Sequence, residues 1–118
     1  MYVDSLKNIE NLLISSLEGG SNYWYTIVDH NMSDFAGYNP KPYLSTLSTK
    51  ENGFILIQDK ENQLKIPFRV DLKSLNEGFG IFKEKYVDHY QDAINENDDA
   101  ITGDIFLQCV VFGKVIFS

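Results

Sequence analysis

Residues Ile105 to Phe117 are apolar almost all round, and a segment of that kind has no face to offer water. It belongs at the centre of the fold, with the other elements laid around it. Asp98 or Asp99 can cap a helix that begins at Ala100, runs to Phe112 and stops at Gly113. The β-branched content of residues 105–112 leaves a strand open as the alternative. A chain of 118 residues has material for one such core, so residues 1–118 are expected to form a single globular domain.

The remaining apolar residues divide into helical and extended patterns. Leu6, Ile9, Leu13 and Leu17 recur at spacings of three and four, with Asp4 or Ser5 as a cap and Gly19-Gly20 as a left-handed stop. Tyr23 to Asp29 reads as a short helix capped by Ser21 or Asn22, or as a strand, with the helix slightly favoured. Asn31 to Thr49 is loop-like, with Gly37, Pro40, Pro42 and many hydroxyls. Phe54 to Ile57 and Gln63 to Val70 flank the turn Asp59-Lys60-Glu61-Asn62 as a hairpin. Pro67 puts the second strand at an edge, because it cannot donate to a ladder. Asp71 caps a helix in which Leu72, Leu75, Phe79, Phe82, Tyr86 and His89 or Tyr90 form one stripe. Gly78 and Gly80 within it imply a close backbone approach or a division into two helices. Val115-Ile116-Phe117 is a candidate third strand. The fold class expected is α+β: a small antiparallel sheet, a hairpin plus a third strand, packed against three to four helices.

Composition narrows the chemistry. A net charge of −7 argues against binding a phosphate backbone directly, which takes a basic face. No apolar run approaches the ~20 residues of a membrane span, and Met1 to Glu10 has no basic start followed by an apolar core of a leader. A soluble protein of the cytoplasm is the expectation. Cys109 is the single cysteine, in an apolar stretch, and reads as packing. His30 and His89 are too few for a three-histidine centre, and no metal or other cofactor is expected. The hydroxyls of Ser45 to Thr49 have no base near them in sequence, so no catalytic residue is assigned.

Two constellations carry binding readings. Between Lys85 and Lys114 there is no Lys or Arg, while Asp88, Asp92, Glu96, Asp98, Asp99 and Asp104 lie there. Asp88 and Asp92 share a helical face, as does Glu96 if the helix continues, and with Asp99 they form a candidate surface for a basic partner protein. The plain alternative is a solvated face with two N-caps. The second constellation is Gly19, Gly20, Ser21, Asn22, Tyr23, Trp24 and Tyr25. Its glycines could cradle an anion on backbone amides and its rings could stack a base. The plain alternative is a turn followed by a core tryptophan. Arg69 is the only arginine, which counts against a phosphate pocket.

The run Glu18-Gly19-Gly20-Ser21-Asn22-Tyr23-Trp24 resembles the N-terminal motif of a family of small bacteriophage and prophage proteins. Asp99-Ala100-Ile101-Thr102-Gly103-Asp104-Ile105-Phe106-Leu107-Gln108, followed by Phe112-Gly113, is similar to the end of the same proteins. The resemblance implies a phage origin and action in a bacterial host cell. It brings no catalytic residue with it. The function expected is that of a non-enzymatic phage accessory protein that binds and antagonises a host factor, such as a defence component. The alternative is a nucleotide-binding sponge for a defence signal. A homodimer is also expected, through the apolar tail and the edge strand Gln63–Val70.

Overall fold

A computed structural model describes residues 2–17, 23–30, 53–95 and 100–117. Among these the chain runs α1 (Tyr2–Ser15), β1 (Tyr25–His30), β2 (Ile55–Asp59), β3 (Phe68–Val70), α2 (Leu72–Lys85), α3 (Val87–Ile94) and α4 (Ala100–Phe112). The result is a small α+β fold with one three-stranded antiparallel sheet in the order β1-β2-β3. Buried residues from every element meet in one core.

α4 is the central element, and it is a helix rather than a strand. Phe106, Leu107, Cys109, Val110 and Val111 are all buried, so the helix is enclosed on most of its circumference. α1 and α2 cover it from two sides. Both crossings are close enough to need glycine. A Cβ on Gly78 of α2 would lie 2.6 Å from the Val110 backbone. A Cβ on Gly103 of α4 would lie 2.8 Å from the side chain of Ser15, the last residue of α1, and 2.9 Å from the Ser16 amide that follows it. Gly80 meets nothing within 4 Å and has no such duty.

The stops and starts follow local chemistry. Asp71 caps α2 in a reciprocal box: its Oδ1 accepts from the Ser74 amide at 2.9 Å, and its own amide donates to Ser74 Oγ at 2.8 Å. The long helical stripe does divide in two, but at Tyr86 and not at a glycine. Gly113 ends α4 with φ +76, the left-handed conformation glycine permits, and its amide donates to Cys109 O at 3.0 Å. α1 begins at Tyr2, ahead of the caps suggested at Asp4 or Ser5, and Ile9, Leu12 and Leu13 form its buried face. Gly19-Gly20 and the Asn31 to Thr49 segment lie outside the described residues.

Three expectations need correction. Residues 25–30 form a strand, not a helix, and this strand rather than Val115–Phe117 is the third member of the sheet. Tyr25, Thr26, Ile27 and Val28 are aromatic or β-branched, and pairing with β2 decides for the extended form. The register shifts between Ile27 and Asp29, leaving Val28 exposed. The second hairpin strand is also shorter than Gln63–Val70, spanning only Phe68–Val70 at a sheet edge. The cause is Asp59. Its carboxylate accepts from the amides of Glu61, Gln63 and Leu64 at 2.7–3.1 Å, curling the chain away from the ladder. Burial pushes the Asp59 carboxyl up, but these amides outweigh it and hold the group below the usual carboxylate range.

The glycine crossings give a direct test of this packing. Gly78→Leu and Gly103→Val are each expected to cost at least about 2 kcal/mol in urea unfolding, through overpacking against backbone. Gly80→Ala is expected to be neutral or to stabilise by up to about 1 kcal/mol. Equal midpoints for Gly78→Leu and Gly80→Ala would contradict the crossing geometry.

Candidate functional site

Asp104 lies one helical turn before Gln108 on α4, and both side chains point into the corner where Tyr23 and Trp24 enter β1. The Asp104 carboxylate is 8% exposed. Trp24 Nε1 donates to its Oδ1 at 2.7 Å, Tyr23 Oη donates to Oδ2 at 2.6 Å, and Gln108 Nε2 donates to Oδ1 at 3.2 Å. A buried charge is tolerated only when donors converge on it in this way. Desolvation, followed by the hydrogen bond to Asp104, pushes the Tyr23 hydroxyl up to about 12. Burial first, then the Asp104 charge, also raises Tyr25.

Gln108 carries the network to the end of the described chain. Its Oε1 accepts from the amides of Ile116 and Phe117, each at 2.8 Å, and its Nε2 donates to Phe117 O at 3.1 Å. Tyr86 Oη accepts from the Val115 amide at 2.9 Å. The Phe117 ring stacks on Trp24 at 5.4 Å and 17°, and meets Phe112 edge-on at 5.7 Å. Beside the tail is an open groove of about 390 Å³ lined by Gln63, Phe112, Lys114, Ile116 and Phe117.

The surface of α3 is different in character. Asp88 and Asp92 are exposed and one turn apart, on a common face. Val87, Gln91 and Ile94 form an adjoining exposed stripe. Ile101, in the first turn of α4, is 65% exposed. The opposite side of α3 faces the core. Ala93 is buried there, and Tyr90 meets Phe79 at 5.8 Å and Phe82 at 6.5 Å, edge-on to both. His89 is half-buried, with Nδ1 3.5 Å from Thr102 Oγ1.

The sequence-derived candidates thus separate. Asp88 and Asp92 stand together on a surface, while Glu96 and Asp99 lie outside the described residues. Asp104, counted with them in the acidic run, is in the core. Gly19, Gly20, Ser21 and Asn22 lie outside the described residues. Trp24 and Tyr25 are buried, and only Tyr23 of the three rings is exposed. A base stacking on Trp24 would have to take the place of Phe117. Arg69, the one arginine, pairs with Asp71 at 2.9 Å and lies over the Phe54 ring at 4.8 Å. Among the described residues no three His, Cys, Asp or Glu side chains come together in a metal-holding group. Burial pushes the Cys109 thiol up to about 12, the reverse of what a nucleophile needs.

Gln108 was missed in the sequence, although a signal was present. Asp104 and Gln108 are the polar pair at an i, i+4 spacing within an otherwise apolar helix, and polar residues there need partners. The exposed Val87, Ile94 and Ile101 could not be told from core residues by type alone. The chain matches no protein-family model, no curated protein and no solved structure at a significant level. No described helix is long and apolar enough to cross a membrane.

Two measurements probe the corner. Asp104→Leu orphans the Trp24 indole N–H, removes one of the two acceptors of Gln108 Nε2 and is expected to cost about 3 kcal/mol in denaturant unfolding. The Tyr23 shift has a definite sign. Its hydroxyl ionises near 10 when unfolded and near 12 when folded, so the unfolded state loses its proton first. Stability is expected to fall as pH rises from 10 to 12. Tyr23→Phe should flatten part of that fall, and an unchanged alkaline profile in this variant would refute the raised Tyr23 hydroxyl.

Proposed function

We propose that this is a non-enzymatic binding protein that docks a basic partner protein on the outward face of α3. This reading accords with a phage accessory protein that engages and antagonises a host factor. The observation that carries it is the exposed pair Asp88 and Asp92 beside Val87, Gln91 and Ile94, on a stretch without Lys or Arg from Tyr86 to Gly113. Exposed acids of one sign steer a basic partner, and the adjoining apolar side chains give it area to bury once it arrives. The inner side of α3 is anchored by Tyr90 and Ala93, so the outward residues are presented on a rigid element. The burial of Trp24 and Tyr25 favours this reading over a nucleotide sponge.

A photo-crosslinker at Gln91 tests the proposal in bacterial host cells. The expected product joins the protein to a host protein with a basic surface. Asp88→Lys with Asp92→Lys is expected to remove that product and to slow association in the purified pair. Raising salt should slow the unmodified protein as well, because exposed charges are screened beyond about 8 Å at physiological ionic strength. Asp88 also favours the first turn of α3, so folding stability should fall by no more than about 1 kcal/mol. Undiminished crosslinking by the doubly reversed protein would overturn the proposal.

A further inference from the structure

Val87, Gln91 and Ile94 follow one another at spacings of four and three, so they line up as a ridge along α3, about 10 Å long. Val87 is 51% exposed and Ile94 39%. A helix directs its N–H and C=O groups along its own axis, so the ridge offers side chains and no ladder of main-chain hydrogen bonds. A strand or loop laid on it would bury unpaired main-chain groups against Val87 and Ile94. A second helix satisfies its main chain internally and beds its side chains in the hollows beside the ridge.

The two borders of the ridge differ in charge. Asp88 and Asp92 stand on one side, about 6 Å apart along the axis. Tyr90 stands on the other, and Lys83 of α2 reaches over its ring, with Nζ 5.7 Å from the centroid. A helix along the ridge meets two carboxylates with one flank and an ammonium group with the other. We infer that the partner segment docked on α3 is an amphipathic helix with two basic residues four apart on one flank, apolar residues against Val87 and Ile94, and no base on the flank facing Lys83. Basic residues at that spacing repeat the separation of the two acids. Lys83 makes the choice selective, because a helix basic on both flanks is attracted on one side and repelled on the other. The inference rests on the docking of a basic partner proposed above, and adds the shape and charge layout of what docks.

Synthetic peptides of about 20 residues, long enough to form a helix alone, test it. Each carries a leucine stripe and a row of lysines on one flank. The first has glutamine on the opposite flank, the second has lysine there, and the third is the first with a proline at its centre. Turning a helix end for end exchanges its flanks, so one peptide can always bring its lysines onto the acids. Binding is read by fluorescence anisotropy on the full chain. The first peptide is expected to bind, the second more weakly and the third not at all. Ile94→Asp should weaken the first by at least about tenfold, and Asp88→Lys with Asp92→Lys should do the same. Lys83→Glu should reverse the order of the first two peptides. Circular dichroism checks that each variant folds. The inference is overturned if no peptide binds, if the third binds as well as the first, if Ile94→Asp changes nothing, or if Lys83→Glu leaves the order as it was. A host protein still crosslinked at Gln91 when no peptide binds overturns the helix and leaves the docking of a basic partner standing. Binding in the expected order without any host crosslink upholds the helix preference of α3 and removes the host partner.

Discussion

The Asp104 carboxylate is the point at which otherwise separate parts of the molecule are joined. It sits on the central helix, yet its partners come from the entry to β1 and, through Gln108, from the C-terminal segment. Uncompensated burial of a carboxylate costs several kcal/mol. Hydrogen bonds to a charged group contribute about 1.5–3 kcal/mol each, so the three donors of Tyr23, Trp24 and Gln108 are of the right order to offset it. The buried carboxylate depends on donors such as these. That dependence fixes the orientation of the Trp24 indole, and the indole in turn seats Tyr25, Phe112 and Phe117 around it. A hydrophobic residue at 104 could fill the same volume without specifying which way Trp24 faces.

Local signals in the sequence were read correctly where one residue decides the matter. Asp71 starts α2 and Gly113 stops α4, and the apolar stretch that ends at that glycine, for which a strand was also open, is a buried helix. The signals failed where a distant partner decides. Tyr23 to Asp29 has mixed helical and extended preferences, and β2, nearly thirty residues on, settles it by pairing. Val115-Ile116-Phe117 has strand composition but finds its main-chain partner in the Gln108 side chain, an arrangement with no periodic signature. The acidic run misled for a related reason. Counting charges along 88–104 says nothing of direction, and α4 turns Asp104 inward while α3 turns Asp88 and Asp92 outward.

Placing one helix at the centre of so short a chain has a geometric consequence. α4 must be approached closely on several sides, and side chains at every crossing would hold the layers too far apart for one core. Gly78 and Gly103 remove the Cβ at two of those crossings, which brings α2 and α1 against α4. The cost of glycine in a helix, about 1 kcal/mol each, is offset by the packing gained. The aromatic group of Phe79, Phe82, Tyr90 and Phe106 fills the space between α2, α3 and α4.

That aromatic group also bears on the docking proposed for α3, because it fixes the inner side of the helix. A helix of eight residues has little stability of its own. Here Tyr90 and Ala93 tie it to the core, half-buried His89 lies beside Thr102, and Val87, Asp88, Gln91, Asp92 and Ile94 face outward. Charge alone at those positions would speed encounter and confer little retention. Apolar side chains alone would invite indiscriminate association. Val87 and Ile94 alongside Asp88 and Asp92 combine the two; in the proposed docking the acids select the sign of the partner and the aliphatic groups hold it. The pattern is economical for a small protein, because one short helix is core on one side and free, on the other, for the docking proposed above.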